Sequence, residues 1–134
     1  MVDTLETATT WQNLMTLHSA VKQTLFEAIE HDGESPLVLT HLSHAYDYGA
    51  SLYYTFMARQ KPGQELGQWQ RVKSAATDAV VRNGGALSHH HGIGTVHKSW
   101  MKEYLGDLAA KMMRSIKTVV DPGGVTEEPR STVE

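Results

Sequence analysis

The spacing of apolar residues switches between helix-like and strand-like along the chain, and the order of these switches constrains the fold more than any other sequence feature. Apolar residues recur at three- and four-residue steps over 11–29 and 66–80, which predicts two amphipathic helices. Residues 37–46 and 51–57 are instead apolar, β-branched and aromatic, and they flank the turn Asp47-Tyr48-Gly49. This pattern predicts a β-hairpin between the two helices.

Two weaker signals complete the order of elements. Residues 2–8 alternate weakly and predict a first strand, and a short last strand is predicted from Ala86 into the histidines that follow. A last helical region covers residues 100–119 and is expected to break near Gly106. The order β-α-β-β-α-β, followed by helix, predicts an α+β ferredoxin-like fold with an antiparallel sheet, two helices on one face and additional C-terminal helices.

Composition limits the class of protein. The chain has 134 residues, a formal net charge of −3 and scattered basic residues, so no nucleic-acid surface is expected. It has no cysteine, which excludes disulfides and thiolate chemistry. Without a long apolar run or a signal-peptide pattern, we expect a cytoplasmic protein with no membrane span. Residues 1–122 are interpreted as one domain and residues 123–134 as a disordered tail.

Alternation within the second arm of the hairpin separates two sets of side chains. Leu52, Tyr54 and Phe56 share one face, which we interpret as core, and Tyr53 lies on the other face. A phenol at a polar face can exchange a proton or hydrogen bond with a substrate. On periodicity alone, an ordinary half-buried sheet tyrosine is the commoner interpretation.

The densest cluster of reactive residues is GGALSHHHGIG at residues 84–94. Imidazoles exchange protons near neutral pH, and the flanking glycines allow a flat ligand to approach the backbone. His89, His90 and His91 are therefore site candidates, and His44 and His97 are further histidines that can gather there. A solvated turn is the plain alternative. No metal is predicted, because alternation in an extended segment would point His90 away from its neighbours and no HExxH motif is present.

The same segments carry a resemblance to a known family. YDYGASLY at residues 46–53 resembles the YD-x-GA-x-(L/I)-Y hairpin of alkyl-dihydroxyacetone-phosphate synthases. Residues 84–94 are similar to the GG-x-(L/I)-SHHHG-(V/I)-G segment of the same enzymes, and DTLETA at residues 3–8 also fits. The chain thus resembles the C-terminal domain of FAD-linked oxidases of the vanillyl-alcohol-oxidase type.

The resemblance implies a fold, a cofactor and a set of site residues. In such enzymes an N-terminal domain binds FAD, and the C-terminal domain covers the flavin and shapes the substrate site. The synthases exchange an acyl group for a fatty alcohol, and other relatives oxidise 2-hydroxy acids. By this likeness Tyr53, His89, His90 and His91 are catalytic, and the three histidines with Gly92 contact the cofactor. FAD is expected in the complete enzyme and weakly or not at all in this part alone.

Three hypotheses follow from these observations. The chain is an enzyme part that needs a separate FAD-binding domain and acts on a small-molecule or lipid-like substrate, and is inactive alone. Alternatively, it is a non-enzymatic remnant that self-associates as a homo-oligomer, or a small-ligand or metal-binding module. Because the resemblance covers only the C-terminal domain, we expect the FAD-binding domain to be supplied separately, and residues 126–129 (TEEP) replace the closing segment of the relatives. We also expect Tyr53 and at least one histidine of the triplet to face a common concavity.

Overall fold

The fold is α+β, as the sequence predicts. A computed structural model describes residues 1–31 and 33–124. Most of the predicted disordered tail, from residue 125 onward, lies outside the described residues. The chain forms two compact units, residues 1–90 and residues 91–134, which are described separately.

The first unit is built on a three-stranded antiparallel sheet. Strands β1 (Val2–Thr10), β2 (Leu37–Tyr46) and β3 (Gly49–Met57) are arranged in the order β1-β3-β2. The predicted hairpin is confirmed, with β2 and β3 joined at residues 47 and 48. Because β3 is the central strand, its residues have paired neighbours on both sides.

Two helices cover one face of this sheet. Helix α1 (Leu14–Glu30) follows a 3-10 turn at Trp11–Asn13, and α2 is Glu65–Arg82. Their buried apolar residues recur every three or four positions and form one core with the sheet. The alternation predicted for β3 is confirmed, since Leu52, Tyr54 and Phe56 are all buried in that core.

The predicted fourth strand is a correction. Residues 84–90 run beside β1 but adopt turn, bend and irregular backbone, with no strand in this described segment. The Ala86 amide donates to the Ala8 carbonyl at 2.8 Å, and Thr7 Oγ1 donates to the Ala86 carbonyl at 2.7 Å. Bends at Leu87, His89 and His90 interrupt the extended backbone, and the His90 amide donates to the Glu6 side chain at 3.1 Å rather than to a strand carbonyl. The segment is therefore attached to the sheet without continuing it.

The second unit contains α3 (Gly94–Val120). The predicted break is confirmed, because Gly106 has φ 78° and ψ 163° and divides the helix into two pieces. The second piece exposes a row of large apolar side chains: Leu108, Met112, Ile116, Val119 and Val120. Among residues 1–31 and 33–124, no helix combines the length and apolar character that a membrane span requires.

Candidate functional site

The sheet face opposite the helices, here called the open face, carries the polar residues of the first unit. In the strand register Glu6 of β1 and His41 of β2 both pair with Tyr53 of β3. Paired residues in an antiparallel sheet point to the same face. Tyr53 and Glu6 therefore share the open face, while their neighbours Leu5 and Tyr54 are buried in the core.

A bulge in β2 adds further side chains to the open face. The register shifts between Leu42 and His44, which leaves Ser43 as an extra residue. Before the bulge the odd-numbered residues of β2 face the open side. After it His44 and Tyr46, which pair with Ser51 and Gly49, take that side. Without the bulge, regular alternation from His41 would place His44 and Tyr46 on the helix-covered face.

The Glu6 carboxylate holds two imidazoles of the histidine triplet. Its Oε1 lies 3.3 Å from His89 Nδ1 and 3.5 Å from His90 Nδ1, and its Oε2 accepts the His90 amide at 3.1 Å. Ser43 Oγ donates to the same carboxylate at 3.3 Å. This geometry corrects the expectation that His90 points away from His89, because the segment is bent and both rings reach one acid.

The charge of Glu6 is retained in spite of its burial. Its side chain is only 3% exposed. Burial by itself would raise the pKa of Glu6, but hydrogen bonds from the His89 ring, the His90 ring and the His90 amide together hold the pKa below its ordinary value. An ionised carboxylate only accepts hydrogen bonds, so the ring nitrogens that face it carry protons.

His89 connects Glu6 to a phenol. Its second nitrogen, Nε2, lies 3.0 Å from the Tyr46 hydroxyl. With a proton on Nδ1 and none on Nε2, the neutral ring accepts from Tyr46 and donates to Glu6. Tyr46, His89 and Glu6 then form a continuous phenol–imidazole–carboxylate chain. Such a chain can move a proton between a buried acid and the protein surface.

His44 completes the cluster from the side of β2. Its ring lies 5.3 Å from the His89 ring and 4.7 Å from the His90 ring, measured between centroids. His44 Nδ1 contacts Ser43 Oγ at 3.3 Å and Ser51 Oγ at 3.4 Å. One ligand atom from each of Glu6, His44, His89 and His90 can be chosen so that all lie within 4.8 Å of one another.

A cavity of about 520 Å³ opens beside this cluster. Tyr46 and His89 of the phenol–imidazole–carboxylate chain form part of its wall. The rest comes from the ends of β1 and β3 and from the hairpin turn. The lining residues are Ala8, Thr9, Thr10, Tyr46, Tyr48, Gly49, Ala50 and His89. The volume is within the range of small-molecule sites.

The sequence matches the family described as FAD linked oxidases, C-terminal domain, over residues 1–126. The chain belongs to this family. It is 34% identical over 132 residues to alkyldihydroxyacetonephosphate synthase of Dictyostelium discoideum, an alignment that covers 98% of this chain and 21% of that protein. It is 31% identical over 123 residues to the Trypanosoma brucei brucei synthase, covering 92% of this chain and 20% of the relative.

A solved structure of alkyldihydroxyacetonephosphate synthase has the same fold. It matches with a TM-score of 0.62 and 29% sequence identity, over 90% of this chain and 19% of that chain. This chain therefore spans about a fifth of the length of the FAD-linked oxidase relatives that it matches.

The structure brings some of the predicted site residues together. His89 and His90 meet at Glu6, and Tyr53 lies on the same face, stacked on His41 with ring centroids 5.2 Å apart. Tyr53 does not line the described cavity, and the common concavity of Tyr53 with the triplet remains a prediction. The catalytic and cofactor-binding roles of these residues also remain predictions. His91 and Gly92 belong to the second unit, where Gly92 has a φ of 71°.

Sequence reasoning missed Glu6 and Tyr46 as members of the site. Glu6 carried only a weak signal in sequence, as a charged residue inside the strand predicted over residues 2–8, because the burial of residues 5–7 is seen only in the structure. A buried acid requires partners, and nearby histidines are candidates. Tyr46 carried no such signal, since its face depends on the bulge at Ser43.

Proposed function

We propose that this chain is the substrate-side, flavin-covering part of an FAD-dependent enzyme related to alkyldihydroxyacetonephosphate synthase. It acts together with an FAD-binding domain, on a small-molecule or lipid-like substrate. Family membership and the synthase relatives support this proposal. The observation that carries it is the pair of histidines held by Glu6 on the same sheet face as Tyr53.

The roles proposed for the site residues follow from their chemistry. Tyr53, His89, His90 and His91 handle protons at the substrate, and the three histidines with Gly92 contact the flavin ring when FAD is bound. FAD supplies the redox or adduct chemistry, while these side chains orient the substrate and hold a proton. Glu6 keeps His89 and His90 in fixed orientations, which reduces the entropy lost when substrate binds.

A chimeric enzyme tests the proposal. Residues 1–126 of this chain replace the matching C-terminal fifth of the Dictyostelium synthase, and both bound flavin and acyl-for-alkoxy exchange are measured. We expect a flavin-containing chimera with exchange activity. Tyr53→Phe and His89→Ala should each lower the turnover about 10²–10⁴-fold, which is the usual contribution of a positioned acid or base. His31→Ala, at the end of α1, is the matched control.

Two results would contradict the proposal. One is a chimera that binds FAD stoichiometrically but neither exchanges an acyl group nor oxidises a 2-hydroxy acid such as lactate. The other is an active chimera in which Tyr53→Phe and His89→Ala are as active as His31→Ala. The isolated 134-residue chain should purify without flavin, and a stoichiometric flavin absorbance in that preparation would contradict the expected weak binding.

The alternative of a self-associating module has support on the open face. Val2, Leu37 and Leu39 lie there and are 70%, 49% and 52% exposed. Exposed apolar surface of this kind favours association. We predict a homo-oligomer by light scattering that Leu39→Lys shifts toward monomer. Leu66→Lys on α2, at a residue that is 65% exposed, should leave the distribution unchanged.

A further inference from the structure

We propose that Glu6, His44, His89 and His90 form a binding site for one divalent transition-metal ion of the Zn²⁺ or Co²⁺ type. This inference concerns the same residues as the proposed function. Its test requires neither flavin nor substrate, so the two proposals can fail separately.

The first argument is the convergence of donors from three separate segments. Glu6 comes from β1, His44 from β2 after the bulge, and His89 and His90 from the segment beside β1. Four suitable ligand atoms lie within 4.8 Å of one another. Bonds of about 2.0–2.2 Å from a central ion to nitrogen and oxygen require ligand atoms separated by about 3.3 Å in a tetrahedron. Two separations are already near this value, because Glu6 Oε1 lies 3.3 Å from His89 Nδ1 and 3.5 Å from His90 Nδ1.

The second argument concerns charge. Three imidazoles surround one carboxylate, and the ring centroids of His89 and His90 are 4.0 Å apart. Glu6 can balance one imidazolium, but further protonated rings would repel one another at these separations. Metal binding releases the ring protons that face Glu6, and the nitrogens freed in this way then direct their unshared electron pairs into a common space beside the carboxylate. One divalent cation satisfies these pairs and the carboxylate together, and a three-nitrogen, one-oxygen set suits Zn²⁺ and Co²⁺.

The third argument is the set of outer contacts that orients the rings. The Tyr46 hydroxyl contacts Nε2 of His89 at 3.0 Å, which leaves Nδ1 facing Glu6. Ser43 and Ser51 contact Nδ1 of His44, and their hydroxyls are 2.6 Å apart. Metal-binding histidines commonly have one nitrogen on the metal and the other in such a contact. Ser43 is the bulge residue, so the bulge supplies both a ligand and its support.

Titration of the full chain with Co²⁺ provides the test. Four-coordinate Co²⁺ absorbs in the visible region, so binding and geometry are read together, and Zn²⁺ should displace it. We expect one ion per chain. Glu6→Gln and His44→Ala should each weaken binding at least tenfold, and Tyr46→Phe should weaken it about tenfold through the outer contact. His44 is exposed, so its substitution should not compromise folding.

His31→Ala is the matched control, because it removes an exposed histidine outside the cluster. It should leave the Co²⁺ affinity and spectrum unchanged. No tetrahedral Co²⁺ spectrum at millimolar metal would overturn the proposal, as would a complex that survives Glu6→Gln and His44→Ala. Loss of binding in only one of these two variants would show a different ligand set and would also overturn it. Thermal melts in EDTA establish that each variant is folded.

Discussion

The two faces of the sheet use neighbouring residues for opposite purposes. On the helix-covered face Tyr54 is fully buried among apolar side chains, whereas Tyr53 on the open face is partly exposed and stacks on His41. In β1 the core residue Leu5 is followed directly by Glu6, which is equally buried but charged and hydrogen-bonded. One face therefore forms the apolar core and the other carries the polar, hydrogen-bonded cluster, and single-residue steps along a strand separate them.

Similar burial of two residues does not mean that the same interactions hold them in place. Glu6 and Leu5 are 6% and 2% exposed, yet only the acid depends on specific partners for its place in the fold. Substitutions on the helix-covered face should change stability without regard to ligand. Substitutions on the open face should change binding and catalysis more than stability. The following predictions test this separation.

The largest effect is expected from a matched pair in β3. Tyr54→Ala removes a fully buried ring and should lower the free energy of unfolding by about 3–5 kcal/mol. Tyr53→Ala removes a partly exposed ring stacked on His41 and should cost less than about 1.5 kcal/mol. Urea denaturation measures both values. Equal costs would contradict the separation of the two faces.

A smaller loss is expected where the segment after α2 meets the sheet. A Cβ at Gly85 would lie 2.7 Å from Thr7 Oγ1 and 2.9 Å from Val80 Cγ1, so Gly85→Ala should cost about 1–3 kcal/mol by overpacking. Gly67→Ala is the control in α2, where an added Cβ meets nothing within 4 Å. It should raise stability by about 0.5–1 kcal/mol. A neutral Gly85→Ala would show that the segment is not closely packed on β1.

A gain of stability is expected from Tyr54→Phe. The Tyr54 hydroxyl is buried, and within the described residues it has no hydrogen-bond partner. Burial also raises the pKa of this phenol well above its ordinary value. Removing an unpaired buried hydroxyl should stabilise the chain by about 1 kcal/mol. Tyr48→Phe, at a residue that is 79% exposed, should be neutral in the same denaturation experiment.

The smallest effect concerns pH, through groups outside the proposed site. Burial, with Lys22 nearby, lowers the pKa of His18 below 6.5. Burial alone would raise the pKa of Asp3, but Lys73, Trp69 and the Thr4 amide hold it below 3.8. In both cases the unfolded chain binds more protons than the folded chain.

Stability should therefore fall as the pH drops, first through the ordinary range of histidine and then below about pH 4, where Asp3 becomes protonated. Asp3→Asn should flatten the acid limb of a plot of melting temperature against pH. Asp107→Asn, at a carboxylate that is 76% exposed, should not. A melting temperature that rises on acidification would show that other groups dominate.

Much of the fold could be predicted, because in most elements the apolar residues that recur at helix or strand spacing are also the buried ones. The hairpin, both helices of the first unit, the break at Gly106 and the buried face of β3 all follow from local pattern. The fourth strand could not be predicted correctly, because bends at residues 87, 89 and 90 interrupt a segment whose local pattern is typical of an extended backbone. The bends accompany the bond from the His90 amide to Glu6, a contact between residues 84 positions apart that no local pattern encodes.

The candidate site was predictable in part. The histidine triplet and Tyr53 stand out in sequence, but their shared contact with one acid depends on long-range pairing. Glu6 and His89 are 83 positions apart. His44 and Tyr46 reach the cluster only through a register shift, and bulge positions depend on the partner strand rather than on local propensity.

The bulge at Ser43 also affects how related sequences are compared. Deletion of this one residue would restore regular pairing and leave His44 and Tyr46 on the open face, because Leu42 would then be followed directly by the residue that pairs with Ser51. If Ser43 were kept and paired without a bulge, His44 and Tyr46 would instead turn to the helix-covered side. The length of β2 is therefore as informative as its composition. Among homologues, a one-residue gap at this point is therefore compatible with the same two rings, whereas a β2 of equal length paired without the bulge should carry apolar residues in their place. An alignment that places the gap elsewhere in the hairpin would pair side chains from opposite faces.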